Sequence, residues 1–102
     1  MGNAWLFRGT HQVQGRKRII HQYNTDLEFL RYGRIIFGEK GGKVDVDSVD
    51  EEIGFICLKG NGVIQVGDKK YSLGKYDALY VPIESHCNIS SVTAFDLAEC
   101  AA

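Results

Sequence analysis

Short runs of hydrophobic residues, separated by turn residues, fill the chain between residues 51 and 82. The first run, Ile53–Lys59, is almost unbroken, and such a run predicts a strand that is covered on both faces. The runs that follow cover 63–66, 70–73 and 78–81. The turns between them are Gly60-Asn61-Gly62, Gly67-Asp68 and Gly74-Lys75. Glycine permits the positive φ of a tight reversal, and Pro82 suits a strand end, so this stretch predicts four antiparallel strands.

The flanking sequence predicts further strands at 17–22, 32–37, 44–47, 86–91 and 93–99. One segment is ambiguous, because Thr25-x-x-Glu28 matches a helix capping box while Leu27–Tyr32 also fits an extended segment, which we favour. Turn signals recur at roughly 8–12 residues, the spacing of an all-β sandwich or barrel. We therefore expect one domain over 1–102, with an N-terminal arm or edge strand at 1–16 and a barrel over 17–102.

Composition narrows the classes of function. The 102 residues carry a net charge of −1, which argues against a general binder of nucleic acids or membrane surfaces, since both need a concentrated basic field. We interpret the basic cluster Arg16-Lys17-Arg18 as a solvated loop. The sequence has no apolar run of the ~20 residues that span a membrane and no signal peptide, so we expect a cytoplasmic protein.

The chain has three cysteines, Cys57, Cys87 and Cys100. Their odd number and the absence of a C-x-x-C pair argue against a disulfide framework and against a zinc knuckle. Cys57 lies within the apolar run and is expected to be a small core residue.

Several motifs together resemble the cupin superfamily. The most specific is Asp77-Ala78-Leu79-Tyr80-Val81-Pro82, which follows Glu-Ile-Gly-Phe-Ile-x-Leu-x-Gly-x-Gly at 52–62. With the ending at 95–102 and the weaker Tyr32-Gly33-Arg34-Ile35, these motifs resemble the first cupin half of the 5-keto-4-deoxyuronate isomerase and 5-deoxy-glucuronate isomerase family. The resemblance covers roughly residues 30–102.

This resemblance implies a small cupin-type β-barrel, that is, a double-stranded β-helix or jelly roll, which is usually dimeric or larger. It also implies interconversion of the keto and aldo forms of uronate sugars in bacterial carbohydrate catabolism. The family's chains have two cupin halves, and their metal lies in the second. Since this chain matches the first half, we expect a stand-alone cupin or a fragment, and the family's metal ligands have no matching positions here.

A metal site within this chain has only weak candidates, the carboxylates Asp45, Asp47 and Glu52. Three carboxylates would suit a hard divalent ion rather than the nitrogen-rich site of metal-binding cupins. At the position of the late cupin histidine stands Cys87, which spacing directs inward, while His86 falls one residue short. We therefore expect no cofactor; the other interpretation of these acidic and histidine residues is an exposed surface.

Two functions remain open. In the first, the protein is a uronate isomerase-type enzyme that clamps a sugar acid with Arg34, aided by Arg31, and uses Tyr80 or His86 for hydrogen bonding or proton transfer. Further pocket candidates are Glu52 and Cys87. In the second, the barrel is a non-catalytic module for small-ligand binding or dimerisation. A homodimer is expected, and in the second function Trp5, Leu6 and Phe7 would pack across its interface. A metal-dependent dioxygenase is disfavoured by the missing histidines.

Overall fold

A computed structural model describes residue 6 and residues 8–12, 15–20 and 31–102 of the chain. The described elements are a 3-10 helix (Thr10–Gln12) and strands β1 (Gly15–Ile20), β2 (Arg31–Phe37), β3 (Gly42–Ser48), β4 (Ile53–Gly60), β5 (Gly62–Val66), β6 (Lys69–Leu73), β7 (Ala78–Val81), β8 (Ser85–Ser91) and β9 (Phe95–Ala101). Within these ranges, no helix is long and apolar enough to cross a membrane.

The strands form two antiparallel sheets. One has five strands in the order β1-β2-β9-β4-β7, and the other has four in the order β3-β8-β5-β6. Chain-distant strands such as β2 and β9 are neighbours, as the crossing connections of a jelly roll require. The predicted all-β jelly-roll fold is confirmed.

The core fills the space between the sheets. Alternate residues of each strand point inward, because successive side chains of a strand face opposite ways. The largest side chains without exposed surface come from both sheets, and they include Phe55, Phe95, Ile35, Ile53, Ile64 and Ile89. Each such side chain contributes roughly 1.5–3 kcal/mol through its burial. Cys57 lies in this core with no exposed surface, as predicted.

The turns agree with the glycine pattern. Gly60 adopts a φ of 77°, and a Cβ at this position would lie 2.1 Å from the carbonyl oxygen of Ala94. The turn therefore accepts only glycine without rearrangement.

Some predicted strand bounds differ from those observed, and some predictions concern residues outside the described ranges. The strand predicted at 17–22 begins earlier, at Gly15, and that predicted at 93–99 is observed as Phe95–Ala101. The ambiguous segment at 24–28 lies outside the described residues, as do Trp5 and Phe7 of the predicted dimer interface.

The prediction that both faces of β4 are covered is wrong for the single chain. Phe55 and Cys57 point into the core, whereas Ile56 between them is 42% exposed on the outer face. The apolar run therefore has one face that the described part of this chain does not bury.

The interpretation of Arg16-Lys17-Arg18 as a solvated loop is also wrong. These residues belong to β1, where Arg16 lies opposite Ile35 and Arg18 lies opposite Gly33. Ile35 is a core residue, so Arg16 and Arg18 share its inward face, while Lys17 points to solvent.

Candidate functional site

A cluster of charged side chains lies on the inner face of the five-stranded sheet. Arg16 and Arg18 reach it from β1, and Glu99 reaches it from β9, two strands away. Glu51, just before β4, and Arg31, at the start of β2, complete what we call the arginine–glutamate cluster. It lies at the margin of the apolar core, where charged groups must be paired.

Gly33 leaves the space that this cluster occupies. It lies between Arg18 and Glu99 across the three paired strands. A Cβ at this position would be 2.7 Å from Oε1 of Glu99 and 2.7 Å from the carbonyl oxygen of Lys17. The missing side chain therefore lets the Glu99 carboxylate lie over β2 and meet the arginines of β1.

Glu99 has no exposed surface and is held by two guanidinium groups. Arg16 donates to it through a two-pronged contact, with Nε 2.9 Å from Oε1 and Nη2 3.1 Å from Oε2. Nε of Arg18 lies 3.3 Å from Oε1 of Glu99. The fork geometry and the burial of Glu99 make these pairs stronger than surface ion pairs, although desolvation offsets part of the gain.

Glu51 holds the outer side of the cluster. Nη2 of Arg18 donates to Oε1 of Glu51 at 2.5 Å, and Nη1 of Arg31 lies 3.6 Å from Oε2. Burial alone would lower the pKa of Arg18, but the hydrogen bond from Glu51 and the charge of Glu99 outweigh it and raise that pKa. Arg18 therefore stays charged.

The cluster can accept a further anion. Among the described residues, three guanidinium groups meet two carboxylates, which leaves one positive charge in excess. Nε of Arg18 is buried and has no hydrogen-bond acceptor among the described residues, because its 3.3 Å approach to Glu99 is an ion-pair contact without hydrogen-bond geometry. Nε of Arg34 also has none among them, but Arg34 lies outside this cluster. The Arg16 side chain is 28% exposed and that of Arg31 is 26% exposed, so the cluster can be reached from solvent.

Arg34, the leading sequence-predicted clamp, lies elsewhere. It stands on the outer face of the five-stranded sheet, where Nη2 donates to Asp96 at 2.5 Å and Nη1 donates to Thr10 at 3.1 Å. Burial alone would lower the pKa of Arg34, but its hydrogen bond to Asp96 raises it. The structure thus places Arg34 beside the 3-10 helix, whereas Arg31 joins the arginine–glutamate cluster.

Glu52 and Tyr80 meet on that outer face as well. The Tyr80 hydroxyl donates to Oε1 of Glu52 at 2.9 Å, and this hydrogen bond raises the pKa of Tyr80. Both side chains are exposed, and they lie on the opposite side of the sheet from Glu99.

The remaining polar candidates lie on the outer face of the four-stranded sheet. Nδ1 of His86 is 2.6 Å from Oδ1 of Asp47, and Asn88 donates to Asp45 at 2.6 Å. The hydrogen bond to Asp47 raises the pKa of His86. His86 forms ion pairs with Asp45 and Asp47, and all three side chains are more than half exposed. This part of the sheet is therefore a solvated surface.

The three weak metal candidates do not converge. Asp45 and Asp47 lie on one sheet, whereas Glu52 binds Tyr80 on the other. Within the described ranges, no group of three or more His, Cys, Asp or Glu side chains is arranged to hold a metal ion. The inward positions of β3 and β8 carry Val46, Ser48 and Cys87, which do not fit the imidazole-rich donor set of metal-binding cupins.

Cys87 points into the core and has no exposed surface. Burial raises the pKa of its thiol, which keeps it protonated. Its neighbour His86 points to the opposite face, so the two do not form a nucleophile–base pair.

Sequence reasoning missed four residues of the cluster: Arg16, Arg18, Glu51 and Glu99. The available signal was the spacing Arg-x-Arg before Ile19-Ile20, which in a strand places both arginines on one face. That spacing does not reveal Glu99, which lies 83 residues beyond Arg16.

Comparison with known proteins gives the class of fold. No family model matches the chain, and no curated protein matches its sequence. Solved structures do match, among them a cupin superfamily protein from Desulfitobacterium hafniense DCB-2, with 15% identity, a TM-score of 0.69 and coverage of 98% of this chain and 92% of that chain. The chain therefore has the cupin fold.

Two further similar structures are KdgF from Halomonas sp. and the cupin domain of Cnp3 from Schizosaccharomyces pombe. KdgF is 14% identical with a TM-score of 0.68, and the match covers 84% of this chain and 74% of that one. The Cnp3 domain is 16% identical with a TM-score of 0.67, and the match covers 85% of this chain and 62% of that one. Because different proteins share this fold, the function has to be argued from the site.

Proposed function

We propose that this protein binds a small organic anion of the sugar-acid class at the arginine–glutamate cluster. The observation that carries the proposal is the unused donor Nε of Arg18, buried beside a cluster with one positive charge in excess. A sugar carboxylate supplies the matching acceptor, since guanidinium groups bind planar carboxylates through paired hydrogen bonds. The resemblance to uronate isomerases supports the same ligand class.

The ligand would compete with Glu51 for the arginines. Glu51 holds Arg18 and Arg31 from the accessible side, and its side chain is 13% exposed, whereas Glu99 lies behind them without exposed surface. We expect a ligand carboxylate to take the place of Glu51 on Arg18, while Glu99 keeps Arg16 in position. Hydroxyl groups of the sugar would then lie near the rim of the sandwich.

An isomerase reaction makes a further demand on this site. Moving a proton between adjacent sugar carbons through an enediol needs a base within hydrogen-bond reach of the carbon. Glu51, which the ligand would displace from Arg18 on the accessible side of the cluster, is the carboxylate that would take the proton from one carbon and return it to the next, while a hydroxyl proton passes from one sugar oxygen to the other. No step of this reaction is assigned to a metal, because the inward residues of β3 and β8 do not fit one.

Calorimetric titration of the purified chain with glucuronate or galacturonate tests binding. We expect Arg18→Gln to weaken binding about tenfold or more, since a hydrogen bond to a charged group contributes roughly 1.5–3 kcal/mol. Lys17→Gln is the matched control, because Lys17 is the adjacent cation of β1 and is exposed on the opposite face. Equal binding of glucose, or equal loss in the two variants, would contradict the proposal.

Turnover is tested separately by the exchange of sugar-acid carbon-bound hydrogen with deuterated water, followed by NMR. An isomerase predicts exchange that Glu51→Gln abolishes, while Lys17→Gln exchanges normally. Binding without exchange would assign the chain to the second function, a binding module with a cupin fold.

A further inference from the structure

A pocket of about 360 Å³ lies at the end of the four-stranded sheet where the chain crosses between the two sheets. Its lining includes Asn61, which connects β4 to β5, and Val92, which follows β8 in the connection to β9. Its volume is that of a small-molecule site. It is separate from the arginine–glutamate cluster, because Glu51 precedes β4 and Asn61 follows it, with roughly 25 Å of strand between them.

A row of three outward-facing side chains crosses this pocket. Val63 of β5 lies opposite Ser72 of β6 and opposite Ser90 of β8, and all three residues line the pocket. Ile64, the next residue of β5, points into the core, so Val63 and its two partners point outward. Neighbouring strands lie roughly 4.8 Å apart, so the two serine hydroxyl groups are about 10 Å apart with the valine between them.

The polar side chains of the pocket have hydrogen-bonding capacity that the fold does not use. Among the described residues, the hydroxyl groups of Ser72 and Ser90 and the side-chain amide of Asn61 have no hydrogen-bond partner. Val92 is an apolar residue that is 88% exposed. Within the described ranges, no charged side chain lines the pocket. The pocket therefore offers hydrogen bonds and apolar contact without charge, which favours a neutral ligand over an ion.

The walls of the pocket are held in position by contacts within the chain. The hydroxyl group of Ser91 donates to the carbonyl oxygen of Asn61 at 2.8 Å and accepts from the backbone N–H of Thr93 at 3.1 Å. This serine therefore links the two connections that line the pocket. Gly62 lies against the ring of Phe95, since a Cβ at Gly62 would be 2.5 Å from that ring. A pocket formed in this way loses little freedom when a ligand binds, which favours affinity.

We infer that this pocket binds a neutral sugar that carries an acetamido group. Hydrogen bonds of about 2.8 Å to each serine hydroxyl leave roughly 4–5 Å between the ligand's own oxygens, which suits hydroxyl groups on opposite sides of one sugar ring. The C–H face of that ring packs on Val63. The Asn61 amide donates to the acetamido carbonyl oxygen, and the acetamido methyl group contacts Val92.

Two other classes of ligand fit the pocket less well. A sugar acid would place its carboxylate where no lining residue is a cation. A hexose without the acetamido group would make neither the hydrogen bond to Asn61 nor the apolar contact with Val92. The inference is independent of the proposed function, because the two ligands differ in charge and the two sites lie at opposite ends of β4.

NMR titration of the ¹⁵N-labelled full chain with N-acetylglucosamine tests the inference. We expect saturable shifts of the backbone amide resonances of Asn61, Val63, Ser72 and Ser90. Glucose, which lacks the acetamido group, should bind about tenfold more weakly or worse, since it loses one hydrogen bond and one apolar contact.

Substitutions test the individual contacts. Asn61→Ala and Ser90→Ala should each weaken binding about three- to tenfold, since each removes a hydrogen bond between neutral groups. Asn88→Ala is the matched control and should leave binding unchanged, because Asn88 binds Asp45 and does not line the pocket. Arg18→Gln should also leave it unchanged, which separates this site from the arginine–glutamate cluster. No shift at saturating N-acetylglucosamine, equal binding of glucose, or equal losses in Asn61→Ala and Asn88→Ala would overturn the inference.

Discussion

Individual residues determine where a charged side chain can be buried between the two sheets. Glu99 has no exposed surface, and it is accommodated because Gly33 has no side chain and because Arg16 offers a fork of donors. Removing one partner of such a group leaves a buried charge unpaired, which costs more than the pair contributes.

Gly33→Ala should therefore destabilise the protein. The added Cβ would lie 2.7 Å from both Glu99 and the backbone of β1, so the carboxylate or the strand must move. We expect a loss of roughly 1–3 kcal/mol in the free energy of unfolding measured by urea denaturation. Gly38→Ala is the control, since its Cβ would meet nothing within 4 Å. Equal effects of the two substitutions would contradict the account of Gly33.

His86 makes a pH-dependent contribution to the stability of the folded protein. Its hydrogen bond to Asp47 raises its folded-state pKa above the usual 6.5. The stabilisation is therefore fully present below about pH 6.5 and is lost as pH rises through the folded-state pKa. NMR titration should show this raised pKa, and Asp47→Asn should lower it towards 6.5. A pKa unaffected by Asp47→Asn would show that the pair does not form.

At the scale of the strand, the alternation of inward-facing and outward-facing side chains explains most of the structure. The sequence predicted the strands from β2 to β9 within a few residues, because glycine turns and period-two runs are local signals. It did not predict which face of a strand would meet a partner. The solvated interpretation of Arg16 and Arg18 failed for that reason, since only pairing with β2 defines their inward face.

The buried and exposed cysteines should differ in reactivity. Cys57 and Cys87 are buried, and burial raises the pKa of both thiols, while Cys100 is exposed on the outer face of β9. We expect alkylation of the native chain to modify Cys100 first and the other two only after unfolding. Rapid native labelling of Cys57, read by mass spectrometry, would contradict the described core.

At the scale of the molecule, the two faces of the five-stranded sheet differ in character. Its inner face combines a hydrophobic core with the arginine–glutamate cluster, and its outer face presents an apolar row on β4 and β7. The motif resemblance predicted the cupin fold, but the site could not be predicted in the same way. Glu99 and Arg16 are 83 residues apart in the sequence. Their contact depends on the strand order β1-β2-β9 within the sheet, which no local sequence pattern encodes.

The central claim is that this cluster binds a sugar acid, and NMR of the arginine side chains tests it most directly. Titration of the ¹⁵N-labelled chain with glucuronate should shift the Nε–H resonance of Arg18, whose proton has no acceptor among the described residues, and that of Arg16 beside it. Arg34 serves as the internal reference: its Nε also lacks an acceptor among the described residues, but its charge is paired with Asp96 on the other face of the sheet, so it should not shift. Saturable shifts at Arg18 would support the account. Shifts confined to Arg34, or none at saturating glucuronate, would contradict it.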